Sequence, residues 1–428
     1  MFRDIFRYRK KIFKLGLPAV VSQGVVVFWG LFSILIIRVL PEEAYAAYAI
    51  GRSIQILATM LGGHFVSDSI VKHISEGKSK RESKLANAGL ILSMTFAVAV
   101  ALVLVLSGNI LQAFYSETDL TGIPLTLAIL VITSTASKLP DAYLRANHKI
   151  QQFMYARIAG IVARIITVGI FFLTQTLNSP VQVFGALIAG NFVHFAVSYL
   201  FARKYIDLSA GYEKKQIFMM LRFSLVLLGS GLANSIYSRT DILILGKMAG
   251  DAETAGYSAC RALTGLMISL NGAAKIIMLP LISRMWSQNR LNEVMKRVMG
   301  SILIISIIQL PIIIIFAGFP RQFLHFLFAG KYDYAWPVLT VLGLLALIRV
   351  FGSQFSNLAV AMGKPSYTLY SLIASVIVNI VLNLLLIPEH GALGAAIATV
   401  AAVLVGNIIV VSCSWIHYRK NRAVLNGS

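Results

Sequence analysis

The stretch from Gly363 to Thr399 reads GKPSYTLYSLIASVIVNIVLNLLLIPEHGALGAAIAT, and it limits what this chain can fold into more than any other. Two apolar segments meet at a tight Pro388-Glu389-His390-Gly391 turn. Asn379 and Asn383, four apart in the first segment, share one helical face. The second segment opens with Gly394, Ala395, Ala396 and Ala398, small side chains that let helix backbones approach closely inside a bilayer. A soluble helical hairpin would carry a charged face, whereas here charge sits only at the ends. The stretch reads as a membrane hairpin with its polar groups turned toward protein.

The remainder has the same character. Of 428 residues, 57% are hydrophobic and 13% charged, and the mean hydropathy is +0.78, which excludes a water-soluble fold. A crossing takes about 20 apolar residues. Twelve are expected, at 14–38, 44–70, 87–114, 121–144, 151–176, 181–202, 218–246, 254–282, 298–318, 335–362, 366–388 and 392–416. The fold class is therefore all-α integral membrane. The connections are too short for a separate soluble domain. Cys260 and Cys413 both lie in apolar segments, which argues against a disulfide framework. The opening MFRDIFRYRKKIFKLGL leads into an apolar stretch longer than a signal-peptide core, so a retained anchor is expected. No metal or other cofactor is expected.

A formal net charge of +21 would suggest nucleic acid, but its placement does not. Of the 38 Lys and Arg, 27 fall on segments that would share one side of the membrane, while the other side has Arg38, Lys247, Arg321 and Lys331. This asymmetry is the positive-inside pattern and puts both termini in the cytoplasm of a cell (inner) membrane. Most of the basic excess then reflects topology and attraction to lipid headgroups, and nucleic-acid binding is not expected. Seven basic residues remain within spans: Arg52, Lys138, Arg164, Arg239, Arg261, Lys275 and Arg349.

The two halves repeat at an offset of 209 residues. EEAYAAYAIGRSI from Glu42 aligns with DAETAGYSACRAL from Asp251, which pairs Tyr48 with Tyr257, Arg52 with Arg261 and Gly63 with Gly272. Six helices per copy is an even number, so both copies have the same orientation, related by an axis along the membrane normal. Two pseudo-symmetric six-helix lobes, 1–208 and 209–428, are expected around a central cavity.

Polar residues recur on helical faces. Arg52, Gln55, Thr59 and Gly63 form one stripe, Arg261, Thr264, Asn271 and Lys275 a second, and Ser230, Asn234, Ser238 and Asp241 a third. Charge facing lipid costs several kcal/mol, so such stripes are expected on a water-accessible wall. Arg164 and Arg349 fall near mid-span. Arginine keeps its proton, and its burial is offset by an anion, by water or by carbonyl oxygens. Arg52, Arg261, Arg164, Arg349, Gln55, Asn271 and Lys275 are therefore candidate contacts for a ligand carrying phosphate or carboxylate. The plainer reading of each arginine is a brace or pair to a neighbouring helix. Lys138 and Asp141, three apart, could neutralise each other. Arg239 and Asp241, two apart, do not face each other, which leaves Asp241 as a lone carboxylate and the candidate proton or sodium site, with a structural ion pair as its plainer reading.

The GKP and VNIVLNLLLIP hairpin followed by GALGAAIAT resembles the polysaccharide transporters of the MOP (multidrug/oligosaccharidyl-lipid/polysaccharide) exporter superfamily. FAGKYDYAWPVL from Phe328 and RTDILILGKMAGDAETAGYSACRAL from Arg239 do so as well. The chain looks like an O-antigen-type (Wzx-like) flippase, related to MATE and MurJ-type proteins. The resemblance implies a transporter and not an enzyme. It implies movement of an undecaprenyl-diphosphate-linked oligosaccharide (an O-antigen, capsule or exopolysaccharide repeat unit) to the outer leaflet by alternating access, coupled to a proton or sodium gradient. The implied partners are the lipid-linked anionic glycan, membrane lipids, a polysaccharide polymerase and glycosyltransferases, with the carrier itself a monomer. MATE multidrug/cation antiporters are the alternative. They often carry a carboxylate in the first span, where this chain has Gln23 and no Asp or Glu. MurJ-type flippases typically have fourteen spans.

Overall fold

The apolar runs become helices because a bilayer leaves no other partner for their backbone N–H and C=O groups. The computed structural model describes residues 24, 28–30, 32–75 and 79–427. Helices α1 (Phe28–Val39), α2 (Glu42–Thr59), α3 (Phe65–Ser75), α4 (Ser79–Leu106) and α5 (Gly108–Phe114) come first. They are followed by α6 (Ile123–Ala136), α7 (Lys138–Ala146), α8 (Ile150–Leu173) and α9 (Pro180–Ala202). Then come α10 (Lys214–Tyr237), α11 (Thr240–Met248), α12 (Gly250–Ser287), α13 (Leu291–Gly318), α14 (Pro320–Phe328), α15 (Trp336–Ala361) and α16 (Ser366–Gly427). Among the described residues, 8 helices are long and apolar enough to cross a membrane. Each expected span from residue 44 onward falls on one of the helices α2–α16 or on a broken pair, but α10, α11 and α12, over 218–246 and 254–282, are not among the 8, so twelve crossings are not established; the first span, 14–38, lies mostly outside the described residues. Leu102, Val103 and Leu106 of α4 and Leu303, Ile304 and Ile307 of α13 are exposed, as lipid-facing side chains are. The protein is a multi-pass membrane protein.

The hairpin of Gly363–Thr399 lies within α16, which reverses at Gly391 (φ 51°, ψ −132°). Ser371 Oγ donates to the Gly406 carbonyl at 2.8 Å and Ser375 Oγ to the Ala402 carbonyl at 2.9 Å, so the two arms run antiparallel. Asn379 donates across the arms to Thr399 at 3.4 Å, while Asn383 donates along its own arm to Asn379 at 3.1 Å. Ser371, Ser375, Asn379 and Asn383 thus each donate to a group in protein, while Thr368 Oγ1 and Asn383 Oδ1 are buried without a partner.

Four of the expected spans are broken pairs (α2/α3, α4/α5, α6/α7 and α10/α11), and two of the breaks, α2/α3 and α6/α7, lie together. Between α2 and α3, Met60–His64 forms a π turn in which Gly63 takes φ 99°. A side chain cannot be accommodated there, since a Cβ on Gly63 would lie 2.6 Å from the Ser93 carbonyl oxygen. Between α6 and α7 the helix stops at Ala136, because Pro140, four residues on, has no N–H to give its carbonyl. The two interruptions are joined: Thr135 Oγ1 donates to the Gly62 carbonyl at 2.9 Å. Gly272, the repeat partner of Gly63, lies inside the uninterrupted α12.

The chain divides into two compact units, Val39–Arg239 and Met1–Arg38 with Thr240–Ser428. This differs from a cut at 208/209, because α10 packs with the first unit. Met220 of α10 is buried in a cluster with Phe65, Val66 and Ile70 of α3 and Ala86 and Leu92 of α4, and Leu221 and Leu228 flank it. The second unit has its own core, centred on Ile282, Val294, Val298, Ile302, Val350, Phe355 and Leu358. α10 opens with a capping box, Glu213 with Gln216, and α9 with Ser179 and Gln182 followed by Pro180.

Gly63→Ala places a Cβ at positive φ against the Ser93 backbone and should destabilise the protein by about 2 kcal/mol or more. Gly185→Ala, where nothing lies within 4 Å of the added Cβ, should be neutral or slightly stabilising. Thermal melts in detergent, read by size-exclusion chromatography, check the pair.

Candidate functional site

The two helix interruptions meet at a cavity. Irregular backbone at membrane depth is tolerated where it is buried in protein or lines a water-filled space, and both conditions hold in the Val39–Arg239 unit. A hollow of about 240 Å3 is lined by Arg52, Gln55 and Thr59 of α2, His64 of the π turn and Ser134 of α6. Ser137 and Lys138 at the second interruption, Arg157 and Arg164 of α8, and Asn191 and His194 of α9 complete its polar wall. A second hollow of about 560 Å3 adjoins it, lined by Met60, Ser67 and Asp68 on one side and Asp141, Arg145 and Phe153 on the other. His64, Lys138, Arg157 and His194 line both.

Along α2 the expected stripe is a hydrogen-bonded line. Arg52 Nη1 donates to Gln55 Oε1. The amide NH2 of Gln55 donates to Thr59 Oγ1 at 2.6 Å, and that hydroxyl donates back to the Gln55 carbonyl at 2.7 Å. Thr59 therefore fixes which end of Gln55 faces Arg52. Arg164 Nη2 donates to Asn191 Oδ1 at 2.7 Å, and its stem crosses α9 at Gly190, where any side chain would overlap Arg164 Cγ. Arg52 is close enough to both Arg164 and Arg239 to repel them, and Arg157 adds to the repulsion on Arg164. Among the described residues, no carboxylate lines the smaller hollow. Three guanidinium groups and the ammonium of Lys138 thus share one wall, an arrangement that water and an anionic ligand would stabilise.

The acidic residues are held at the edge of the larger hollow. Asp141 Oδ1 accepts from His194 Nε2 at 3.1 Å and from Ser198 Oγ at 2.7 Å, which binds α7 to α9. Asp141 is therefore engaged across helices, and its charge also attracts Lys138 without a direct ion pair. Arg145 donates to Asp68 at 3.1 Å and to Ser67 at 2.8 Å, tying α7 to α3. Arg239, Arg157, Lys138, His64 and His194 are cavity or cluster residues that the polar stripes do not identify. The signal for them lies in the Gly62-Gly63 pair and Pro140, since interrupted spans mark binding sites in membrane carriers.

The second unit treats its arginine differently. Arg261 Nη1 donates to Asp241 Oδ2, as does the Tyr257 hydroxyl, and Arg261 reaches Tyr257 Oη at 3.3 Å. Asp241 is 1% exposed, and its other oxygen accepts from the Ile242 N–H at 2.9 Å. Asp241 is thus not a lone carboxylate but is paired with Arg261, the structural ion pair of its plainer reading. At the repeat offset, Asp241 corresponds to Phe32, so the first copy has no carboxylate to give Arg52. Arg349 is half-buried on α15, Asn271 is buried on α12 with Oδ1 lacking a partner, and Lys275 is exposed. None of these three lines either hollow.

Residues 35–337 match the family described as polysaccharide biosynthesis protein. The chain belongs to that family. Sequence relatives include an uncharacterized membrane protein of Methanocaldococcus jannaschii, 32% identical over 29% of this chain and 24% of its own length. The probable low-salt glycan biosynthesis flippase Agl15 of Haloferax volcanii is 21% identical over 66% of this chain and 59% of its own length. The probable flippase AglR of the same organism is 25% identical over 41% and 37%. These alignments span from a quarter to three-fifths of the relatives. In three dimensions the chain is similar to the lipid II flippase MurJ in an inward closed conformation (TM-score 0.76, 12% identity, 93% of this chain and 86% of that one). It is also similar to an inward-facing multidrug resistance MATE family transporter of the MOP superfamily (TM-score 0.77, 16% identity, 96% and 99%). The fold is the one that these two carriers share.

Removing Asp241 should strand a guanidinium. Asp241→Asn is expected to lower stability by about 3 kcal/mol or somewhat less, since Arg261 retains partial exposure. Asp241→Asn with Arg261→Gln should lose less than the two single changes added together, by about 1–3 kcal/mol. Denaturation of all four proteins in one detergent measures the difference.

Proposed function

We propose that this protein is a flippase that carries a lipid-linked glycan across the membrane, with the anionic phosphate headgroup seated in the hollow of the Val39–Arg239 unit. One observation carries the reading: Arg52, Arg157, Arg164 and Lys138 line a space into which no carboxylate of the described residues faces. A cationic cargo would be repelled there, whereas a phosphate-bearing one is matched by guanidinium donors in number and geometry. Gln55 and Asn191 hold Arg52 and Arg164 in place through their amide oxygens.

Membership of the polysaccharide biosynthesis family and the printed names of the Haloferax relatives support the same class of cargo. In its finer form the cargo is an undecaprenyl-diphosphate-linked oligosaccharide moved from the cytoplasmic leaflet, with both termini cytoplasmic as the Lys and Arg asymmetry favours. The protein binds and translocates; it makes and breaks no covalent bond. Fold alone does not choose between this reading and cation export, because carriers of both kinds share it.

Arg52→Ala with Arg164→Ala should reduce flipping of a labelled lipid-linked oligosaccharide in proteoliposomes by about tenfold or more, with insertion and yield unchanged. Glycan transport at the wild-type rate in that double variant would overturn the assignment. Accumulation of a cationic dye by the wild-type protein, with no glycan movement, would favour the MATE-type alternative.

A further inference from the structure

The second unit carries a basic surface that neither hollow uses, at the end where α12 and α16 finish and α15 turns into α16. That turn is a Schellman motif. The Gly363 N–H donates to the Val360 carbonyl at 3.0 Å and the Lys364 N–H to the Ala359 carbonyl at 2.9 Å, with Gly363 at φ 71°. Pro365 follows, α16 begins at Ser366, and Lys364 is left exposed on the turn. Beside it the His417 ring of α16 stacks on Trp286 of α12, with centroids 6.2 Å apart, and meets the Tyr367 ring in a T-shaped contact at 6.1 Å. Trp286 and Tyr367 pack against the core of this unit, which fixes the group of rings. Lys364 and Lys420, both exposed, lie near enough to the His417 ring to repel positive charge on it. The geometry points to a headgroup site for an anionic membrane lipid at this end of the second unit, with the ammonium groups of Lys364 and Lys420 on the phosphate and the three rings as its floor. The inference goes beyond the flippase reading and does not depend on it.

Charge and position both select lipid as the occupant. From Thr254 to its end the chain has three acidic residues, Glu293, Asp333 and Glu389. Asp333, ahead of α15, and Glu389, at the reversal of α16, belong to the opposite end of the unit. Glu293 is held by Arg290 through two hydrogen bonds of 2.8 and 2.5 Å. Among the described residues, no ion pair neutralises Lys364 or Lys420. Two ammonium groups at a membrane surface favour an anionic lipid over a neutral one by about 30-fold. A phosphate accepts from them in charge-assisted hydrogen bonds. Position argues the same way, because Trp and Tyr side chains gather at headgroup level. Away from the turn, both arms of α16 continue through exposed apolar side chains: Leu369, Tyr370 and Ile373 on the first, Trp415 and Ile416 on the second. Acyl chains hanging from a phosphate at Lys364 and Lys420 would lie along that surface, whereas an acidic soluble partner has no use for it.

Native mass spectrometry of the full chain tests the site, with phosphatidylglycerol and phosphatidylcholine of the same acyl chains titrated in one detergent. Wild type should retain phosphatidylglycerol over phosphatidylcholine by about 30-fold. K364Q with K420Q, two changes at exposed side chains, should lower that ratio by about tenfold or more. K296Q with R297Q removes the same charge from exposed positions near the start of α13 and should keep the wild-type ratio. Equal losses in the two double variants would reduce the surface to diffuse charge and overturn the inference. Equal retention of the two lipids by wild type would overturn it as well. Glycerol 3-phosphate and a polyglutamate peptide serve as competitors, and neither should displace the lipid. Displacement by glycerol 3-phosphate would show a free-phosphate site that makes no use of the apolar arms. Displacement by polyglutamate would assign the surface to an acidic protein, and either result overturns the lipid assignment.

Discussion

A guanidinium cannot shed its proton, and hydrocarbon cannot solvate it, so each arginine inside a membrane needs either a carboxylate or water. This chain uses both solutions at equivalent places. Arg261 is closed against Asp241 and Tyr257 in the second unit, whereas Arg52 has the amide of Gln55 and an open hollow in the first. The difference comes down to one position of the repeat, Asp241 against Phe32. One arginine thus braces a helix pair, and the other lines a hollow.

The hollow exists because two helices fail at the same level. A glycine pair ends α2 and a proline, acting four residues upstream, ends α6; the Thr135 hydroxyl takes one of the freed carbonyls. The broken ends bring His64 and Lys138 to the wall, while the unbroken α8 and α9 supply Arg157, Arg164 and His194. Contacts further along, the Arg145–Asp68 ion pair and the hydrogen bond of His194 to Asp141, bind the short α7 to its neighbours and keep the acidic groups off the smaller hollow.

The MOP fold is shared by carriers of very different passengers, so the fold alone leaves the cargo open. Selectivity rests on the sign of the charge presented within it. Here that sign is positive and concentrated in the Val39–Arg239 unit, which suits the phosphate of a lipid-linked glycan and disfavours a cation.

By itself the sequence determined the membrane class, the positions of the helices from residue 44 onward, the hairpin that turns at Gly391, and the polar line of Arg52, Gln55 and Thr59. These follow from local periodicity, from apolar length and from small residues at contacts, all of which act over a few residues of one chain. Only the tertiary structure decided which arginines face a space. Asp241 looks solitary beside Arg239, because residues two apart diverge on a helix, yet it meets Arg261 from the next helix, twenty residues away. Asp141 likewise turns from Lys138 to His194, 53 residues distant. The placing of α10 with the first unit also depends on Met220 finding α3 and α4. Pairing across helices depends on which faces pack together, and one-dimensional spacing does not contain that information.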